Sequence, residues 1–353
     1  MYQRDLMSSE KDSIQSKVRA VLAPCSLFDL WSDEHGVTDD TDAKHDAKCL
    51  RGCCKSSSRG LQVVSHTFYG SDFRRILLAL GHSEKDVATM LDPEDEQNVP
   101  AMLLFFKALA KLADVSAVTL SDAGLGMIAT LVLKTKELQL LGTVAQAYVF
   151  LLTGFDKSIS EHLTSLAEMQ AIIFVLQRRS GTKFLPNQNY TNTSSMIRAK
   201  FKSVALAQAE GITEYYIFQD CDDALEGFFG VLRTLSGNQR NFDLLQVEEK
   251  ATHAMQIAEV FDRHPDWDRG SRRLSGSLDH WNTKSWTGCT DTSKVNVLQA
   301  WMSGLARARA RLVNTDLFPP SELDFAALAA SGKDISMLKP NGERIGAQLP
   351  ARL

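Results

Sequence analysis

The stretch PAMLLFFKALAKLADVSAVTLSDAGLGMIATLVLKTKELQLLGTVAQAYVFLLTGFDKSISEHLTSLAEMQAIIFVLQRR, residues 100–179, decides the class of fold. Leu103, Phe106, Leu109, Ala110 and Ala113 recur at helical spacing, as do Leu163, Leu166, Ile173 and Leu176. One face of each segment therefore needs an apolar partner. Pro100 suits a first helical position, where its missing N–H leaves no bond unmade, and Ser121 and Ser158 suit N-caps. The stretch is expected to form about four packed helices. No apolar run in it reaches the roughly 18 residues of a membrane-spanning helix. Gly124, Gly126, Gly142 and Gly154 interrupt it instead, and helices are expected to cross closely at those glycines.

Around this core the composition is that of a globular protein, 44% hydrophobic and 23% charged over 353 residues. Such a length accommodates two lobes. Early acids (Asp5, Glu10, Asp12) and the lack of an apolar run near Met1 give no secretory signal. Six cysteines in such a chain are expected to be reduced thiols.

Upstream of the core, residues 9–22 form a short amphipathic pattern that stops before Pro24, and residues 32–60 are polar and are expected to be a long loop or arm. Leu61–Phe68 reads as a short strand. Helices are expected over 72–80 and 83–91, the second capped by Ser83 with Asp86 in capping-box position. Downstream, SGTKFLPNQNYTNTSS (180–195) reads as an irregular polar linker and marks a lobe boundary. Helices are expected at 194–209, 212–219, 222–235, 242–263, 294–313 and 321–330, with a long loop over 266–293. The result is a mainly α chain: an N-terminal arm (1–60), two helical lobes (61–185 and 186–330) with a basic cleft, and a C-terminal arm (331–353).

Motifs for chemistry are sparse. GLGMIA (124–129) matches the glycine fingerprint of dinucleotide-binding turns, but no acid lies roughly 20 residues beyond it and no β-α alternation surrounds it. His35, His45, Cys49, Cys53 and Cys54 are zinc-type ligands at a spacing that matches no zinc pattern. The acids at 39, 40, 42 and 46 lack the glycine and terminal Glu of a calcium loop. No G-x-S-x-G, H-E-x-x-H, P-loop or kinase signature is present. The expectation is a protein without catalytic residues, metal or cofactor. A nucleotide-cofactor enzyme using 124–129 is the least favoured alternative.

Charge segregation is the sharper signal. Residues 1–100 carry 17 acids against 12 bases, whereas 178–208 hold Arg178, Arg179, Lys183, Arg198, Lys200 and Lys202 and no acid. A second basic stretch, 269–315, includes Arg272, Arg273, Arg307 and Arg311. Cations neutralise phosphates and aromatic rings stack on bases, so Tyr190 and Phe201 among these cations suggest a hold on single-stranded nucleic acid. The same charges also fit solvated helix faces, and a helical scaffold or adaptor for a protein partner is the alternative.

At HTFYGSDFRRILLALG (66–81) the chain resembles the N-terminal lobe of nucleoproteins from phlebovirus- and tenuivirus-like negative-strand RNA viruses. Phe68, Gly70, Asp72, Arg74, Arg75, Ile76 and Leu77 fit that pattern, while Ser71 stands where an aromatic is usual. The resemblance implies a viral nucleocapsid protein of the virion and host cytoplasm. Such a protein binds single-stranded RNA without sequence preference, forms homo-oligomers through terminal arms and has a viral polymerase as a further partner. Arg74 and Arg75 then join the RNA-binding set. The chain is longer than compact members of that family, so a more distant nucleocapsid or helical coat protein fits the same plan.

Overall fold

The computed structural model describes residues 14–31, 39–95, 98–117, 135–219, 223–235, 241, 243–264, 266–267 and 286–342. Over these the chain is mainly helical. A helix over 14–22 (α1) is followed by α2 (Ala43–Lys55), strands β1 (Leu61–Val63) and β2 (His66–Phe68), α3 (Gly70–Ala79), α4 (Glu84–Met90) and α5 (Val99–Ala110). Then come α6 (Thr135–Thr153), α7 (Ile159–Ser180), α8 (Asn187–Glu210), α9 (Asp223–Leu235), α10 (Leu244–Arg263), α11 (Val297–Thr315) and α12 (Phe325–Ala329). The chain divides into two compact units, one of Met1–Ile217 with Trp286–Leu353, the other of Phe218–Ser285.

In the first unit, α7 is the hub. Ser158 caps it by accepting from the Glu161 N–H at 3.3 Å while Glu161 accepts from the Ser158 N–H at 2.8 Å, so two otherwise unbonded donors are satisfied. Nearly all of α7 is buried, because α6, α8 and α11 pack around it. Gly304 permits the closest of these crossings: a Cβ there would stand 2.4 Å from Ala167 Cβ and 2.6 Å from the Thr164 carbonyl. Gly142 of α6 does the same against the turn after α5, where a Cβ would lie 2.4 Å from the Ala113 nitrogen. That close crossing is the one expected of Gly142; Gly124, Gly126 and the whole GLGMIA turn lie outside the described residues. Phe68, Phe73, Phe105, Phe106 and Tyr148 form a continuous run of edge and tilted ring contacts with centroids 5.4–6.0 Å apart, tying the hairpin, α3 and α5 to α6.

Several expectations need correction. The lobe boundary does not fall at 185/186. Residues 187–195 belong to α8, which continues unbroken to a left-handed Gly211, because Tyr190, Thr193 and Ser195 are buried against neighbouring helices and packing overrides the turn preference of Asn, Ser and Thr. The supposed arm at 32–60 contains α2, which buries Ala47, Leu50, Cys53 and Cys54. Its Arg51 guanidinium is buried and donates to the carbonyls of Met90 and Thr89 at the end of α4. The C-terminal arm is docked over its described part: the Met337 N–H donates to the Leu27 carbonyl at 2.9 Å, and Met337 and Leu338 are buried. Leu61–Phe68 is an antiparallel hairpin rather than one strand, and its two-residue turn puts Val64 at φ 56°, a strained choice for a β-branched residue. Residues 212–219 form no helix; Glu214 bridges to Asp291 instead.

In the second unit, α9 and α10 pack together, with Leu232 and Ala254 buried and Asp243 capping α10 through the Gln246 N–H at 2.8 Å.

Candidate functional site

The cations expected to line one channel answer to separate partners. Arg178 donates to the Pro340 carbonyl and lies over the Phe174 ring, 5.5 Å from its centroid. Arg179 pairs with Glu322 at 3.3 Å. Arg74 pairs with Glu84, and Arg75 stands 4.0 Å from Asp72. Arg311 bonds Glu168 of α7 and the Ala113 carbonyl. Lys183 and Arg307 are exposed, and Arg272 and Arg273 lie outside the described residues. The two rings chosen for base stacking are core. Tyr190 is fully buried and its hydroxyl donates to the Met337 carbonyl at 2.7 Å. Phe201 sits edge-on between Phe28 and Trp301, at 5.9 and 5.2 Å. Neither presents a face to a ligand, so the expected channel with Tyr190 and Phe201 as its stacking rings is not formed.

One group of the expected cations does converge. Arg198 and Lys202 lie four apart on α8 and share a face. Arg198 is buried, with Nη1 3.6 Å from Asp29 Oδ1 and Nη2 3.8 Å from Asp39 Oδ2. Its guanidinium lies 5.7 Å from the centroid of the Trp31 ring, a cation–π distance. Lys202 Nζ donates to the Trp31 carbonyl at 2.5 Å. Lys200 projects to another side of the helix, where Nζ is 4.0 Å from Asp40 Oδ2. Partial burial, then the charges of Arg198 and Arg19, push the Lys202 ammonium down to about 8, against the pull of Asp29 and Asp39. Two cations, Arg198 and Lys202, therefore meet at one tryptophan that is itself 41% exposed, and Arg19 stands near enough to Lys202 to act on its charge.

Trp31, Arg19 and Asp29 carry no signal in the sequence, and Asp39 and Asp40 stand out there only as acids of an incomplete calcium loop. SLFDLW carries an apolar pattern in which Phe28 is core and Trp31 is not, and spacing alone does not separate them. Arg19 sits in a helix counted only as amphipathic.

Two other expectations concern ligands. His45 and Cys49 approach to 3.5 Å as neighbours one turn apart on α2, and among the described residues no group of three His, Cys, Asp or Glu stands close enough to hold a metal ion. A cavity of about 20 Å³, lined by Asp46, Cys54, Tyr148, Ile173 and Thr193 among others, has room for one water and none for a nucleotide.

Comparison with family models, with curated proteins and with solved structures returns no match to this chain. Among the described residues, no helix is long and apolar enough to cross a membrane.

Proposed function

We propose that the chain is a non-catalytic, self-associating protein of the viral nucleocapsid type that holds single-stranded RNA through its phosphates, without reading sequence. The single observation that supports it is the meeting of Arg198 and Lys202 at the exposed Trp31, with the charge of Arg19 close to Lys202. Cations beside an accessible ring are what an unpaired strand requires: charge for the phosphates and a flat apolar face for a base. The proposed site is thus narrowed from the list expected of the sequence to the middle of α8 and the segment beside it.

The test is binding of a labelled oligouridine by fluorescence anisotropy. Trp31→Ala is expected to weaken it by roughly 1–3 kcal/mol, one stacked base, while leaving the melting temperature nearly unchanged. Equal affinity of wild type and variant at low salt removes Trp31 from the site.

A second reading, a helical scaffold for a protein partner, is favoured by one observation in the unit Phe218–Ser285. There α10 exposes Leu244, Leu245 and Met255, at 85%, 63% and 60%. A complex with protein that survives high salt and carries no nucleic acid, judged by the 260/280 nm absorbance ratio, distinguishes it from the first.

A further inference from the structure

A hydroxyl group carries one hydrogen and so makes one full bond as a donor. Thr41 lies just ahead of Asp42, the N-cap of α2, and its Oγ1 stands 2.7 Å from Asp46 Oδ2 and 2.9 Å from the Asn192 carbonyl of α8. Both are ordinary lengths for a complete O–H···O bond. With Asp46 ionised, the two acceptors compete for a single hydrogen. With Asp46 protonated, the carboxyl donates to the Thr41 hydroxyl, which donates in turn to the Asn192 carbonyl. Both bonds are then complete.

The other carboxyl oxygen also favours a proton. Asp46 is 3% exposed, and its Oδ1 is buried with no hydrogen-bond partner among the described residues. It lines the small cavity to which α5 and α7 bring apolar side chains only, while α6 brings Tyr148 and α8 brings Asn189 and Thr193. The Tyr148 hydroxyl is bonded to Thr193 at 3.1 Å, and burial keeps that phenol protonated. An ionised oxygen left without a donor in such a place costs more than a neutral one. Among the charges that act on the carboxyl, Asp42 and Asp40 disfavour ionisation and Lys200 of α8 favours it. Burial outweighs them and holds the group up to about 7. Further along, α2 is fastened by other means: Leu50, Cys53 and Cys54 are buried, and Arg51 reaches the end of α4.

We infer that Thr41, Asp46 and Asn192 form a proton-operated latch, which holds the start of α2 against α8 while Asp46 is protonated and loosens it when the proton leaves. The latch does not depend on the polyanion reading above. A carboxyl raised by folding stabilises the closed state fully below its ordinary value, and that contribution is lost as pH rises through about 7. Once the proton is gone, the Thr41 hydroxyl turns its hydrogen to the carboxylate and the Asn192 carbonyl loses that bond. The opening is confined to the first turn of α2, because the core contacts and Arg51 hold the remainder.

The experiment is amide hydrogen exchange of the full chain from pH 6 to pH 8, corrected for the intrinsic effect of pH on exchange and referred to amides of α7. The reporters are the Asp46 and Ala47 amides in the first turns of α2, the former bonded to the Asp42 carbonyl at 3.0 Å. Wild type is expected to lose roughly tenfold in protection there, the factor that one pH unit beyond the titration point supplies. Asp46→Asn, whose amide offers a donor at every pH, is expected to keep its protection throughout. Thr41→Val is expected to show at pH 6 the weak protection that wild type shows at pH 8. Flat wild-type protection, or the same pH dependence in Asp46→Asn, overturns the latch, and so does a Thr41→Val protein that matches wild type at pH 6. If neither variant folds, the carboxyl carbon NMR shift of Asp46 in wild type decides. A group already ionised at pH 6 overturns the latch, and one that titrates together with the loss of protection sustains it.

Discussion

Asp46 is the residue whose chemistry is most at odds with its place. It lies on the buried side of α2, and burial, reinforced by Asp42 and Asp40, pushes its carboxyl up to about 7 in spite of the Thr41 bond and Lys200. The folded state therefore holds a proton that the unfolded chain releases near its ordinary value. A raised carboxyl contributes stability that is fully present below pH about 4 and is lost as pH rises through about 7. Asp46→Asn retains an acceptor for the Thr41 hydroxyl and has no charge to bury. Its melting curves are expected to show a gain of roughly 2–4 kcal/mol at pH 8 and almost none at pH 4. A loss at pH 8 contradicts a buried, proton-preferring carboxyl. Single residues were the least legible in the sequence. Tyr190 and Phe201 have the residue types of a stacking platform, and Trp31 does too; only burial separates them, and burial is a property of the fold around them.

Elements were more legible. Spacing located α7 and α10 closely, and Ser83, Ser158 and Asp243 all begin helices through their own side chains. What spacing missed was α2 and the first turns of α8, both rich in polar residues that favour turns in isolation. They are helical because tertiary partners hold them: Arg51 across to α4, Tyr190 down to Met337. The packing of α11 on α7 shows the same priority of context over propensity. Glycine in a helix is worth about 1 kcal/mol less than alanine, so propensity predicts that Gly304→Ala stabilises. The added methyl would instead meet the Thr164 carbonyl at 2.6 Å and the Glu168 nitrogen at 2.7 Å, and backbone cannot move aside as a side chain does. The substitution is expected to cost roughly 1–3 kcal/mol by denaturant unfolding. A higher midpoint would mean that the two helices have slack at that crossing.

At the scale of the whole molecule, the net charge of −4 hides where the charge is spent. The sequence separates acids and bases along its length, and that separation suggested a basic surface. Folding brings part of the acidic N-terminal third back against one basic segment: Asp29, Asp39 and Asp40 lie against α8. A linear charge profile overstates a surface whenever distant segments of opposite sign pack together. Around α8 what remains is a smaller patch beside Trp31, and among the described residues Lys183 and Arg307 are exposed as well. The same logic applies to the arms, whose described residues pack on the unit that bears them. The division into units follows contacts rather than composition: the chain leaves the first unit at 217 and returns at 286.

The most direct measurement is oligouridine affinity of the purified protein as a function of salt, with its size followed on a column. Phosphates held by two or three cations predict that log affinity falls linearly with log salt, with a slope of about −1 to −2, and that the protein elutes larger when RNA is present. A monomer that shows no binding even at low salt contradicts a polyanion partner.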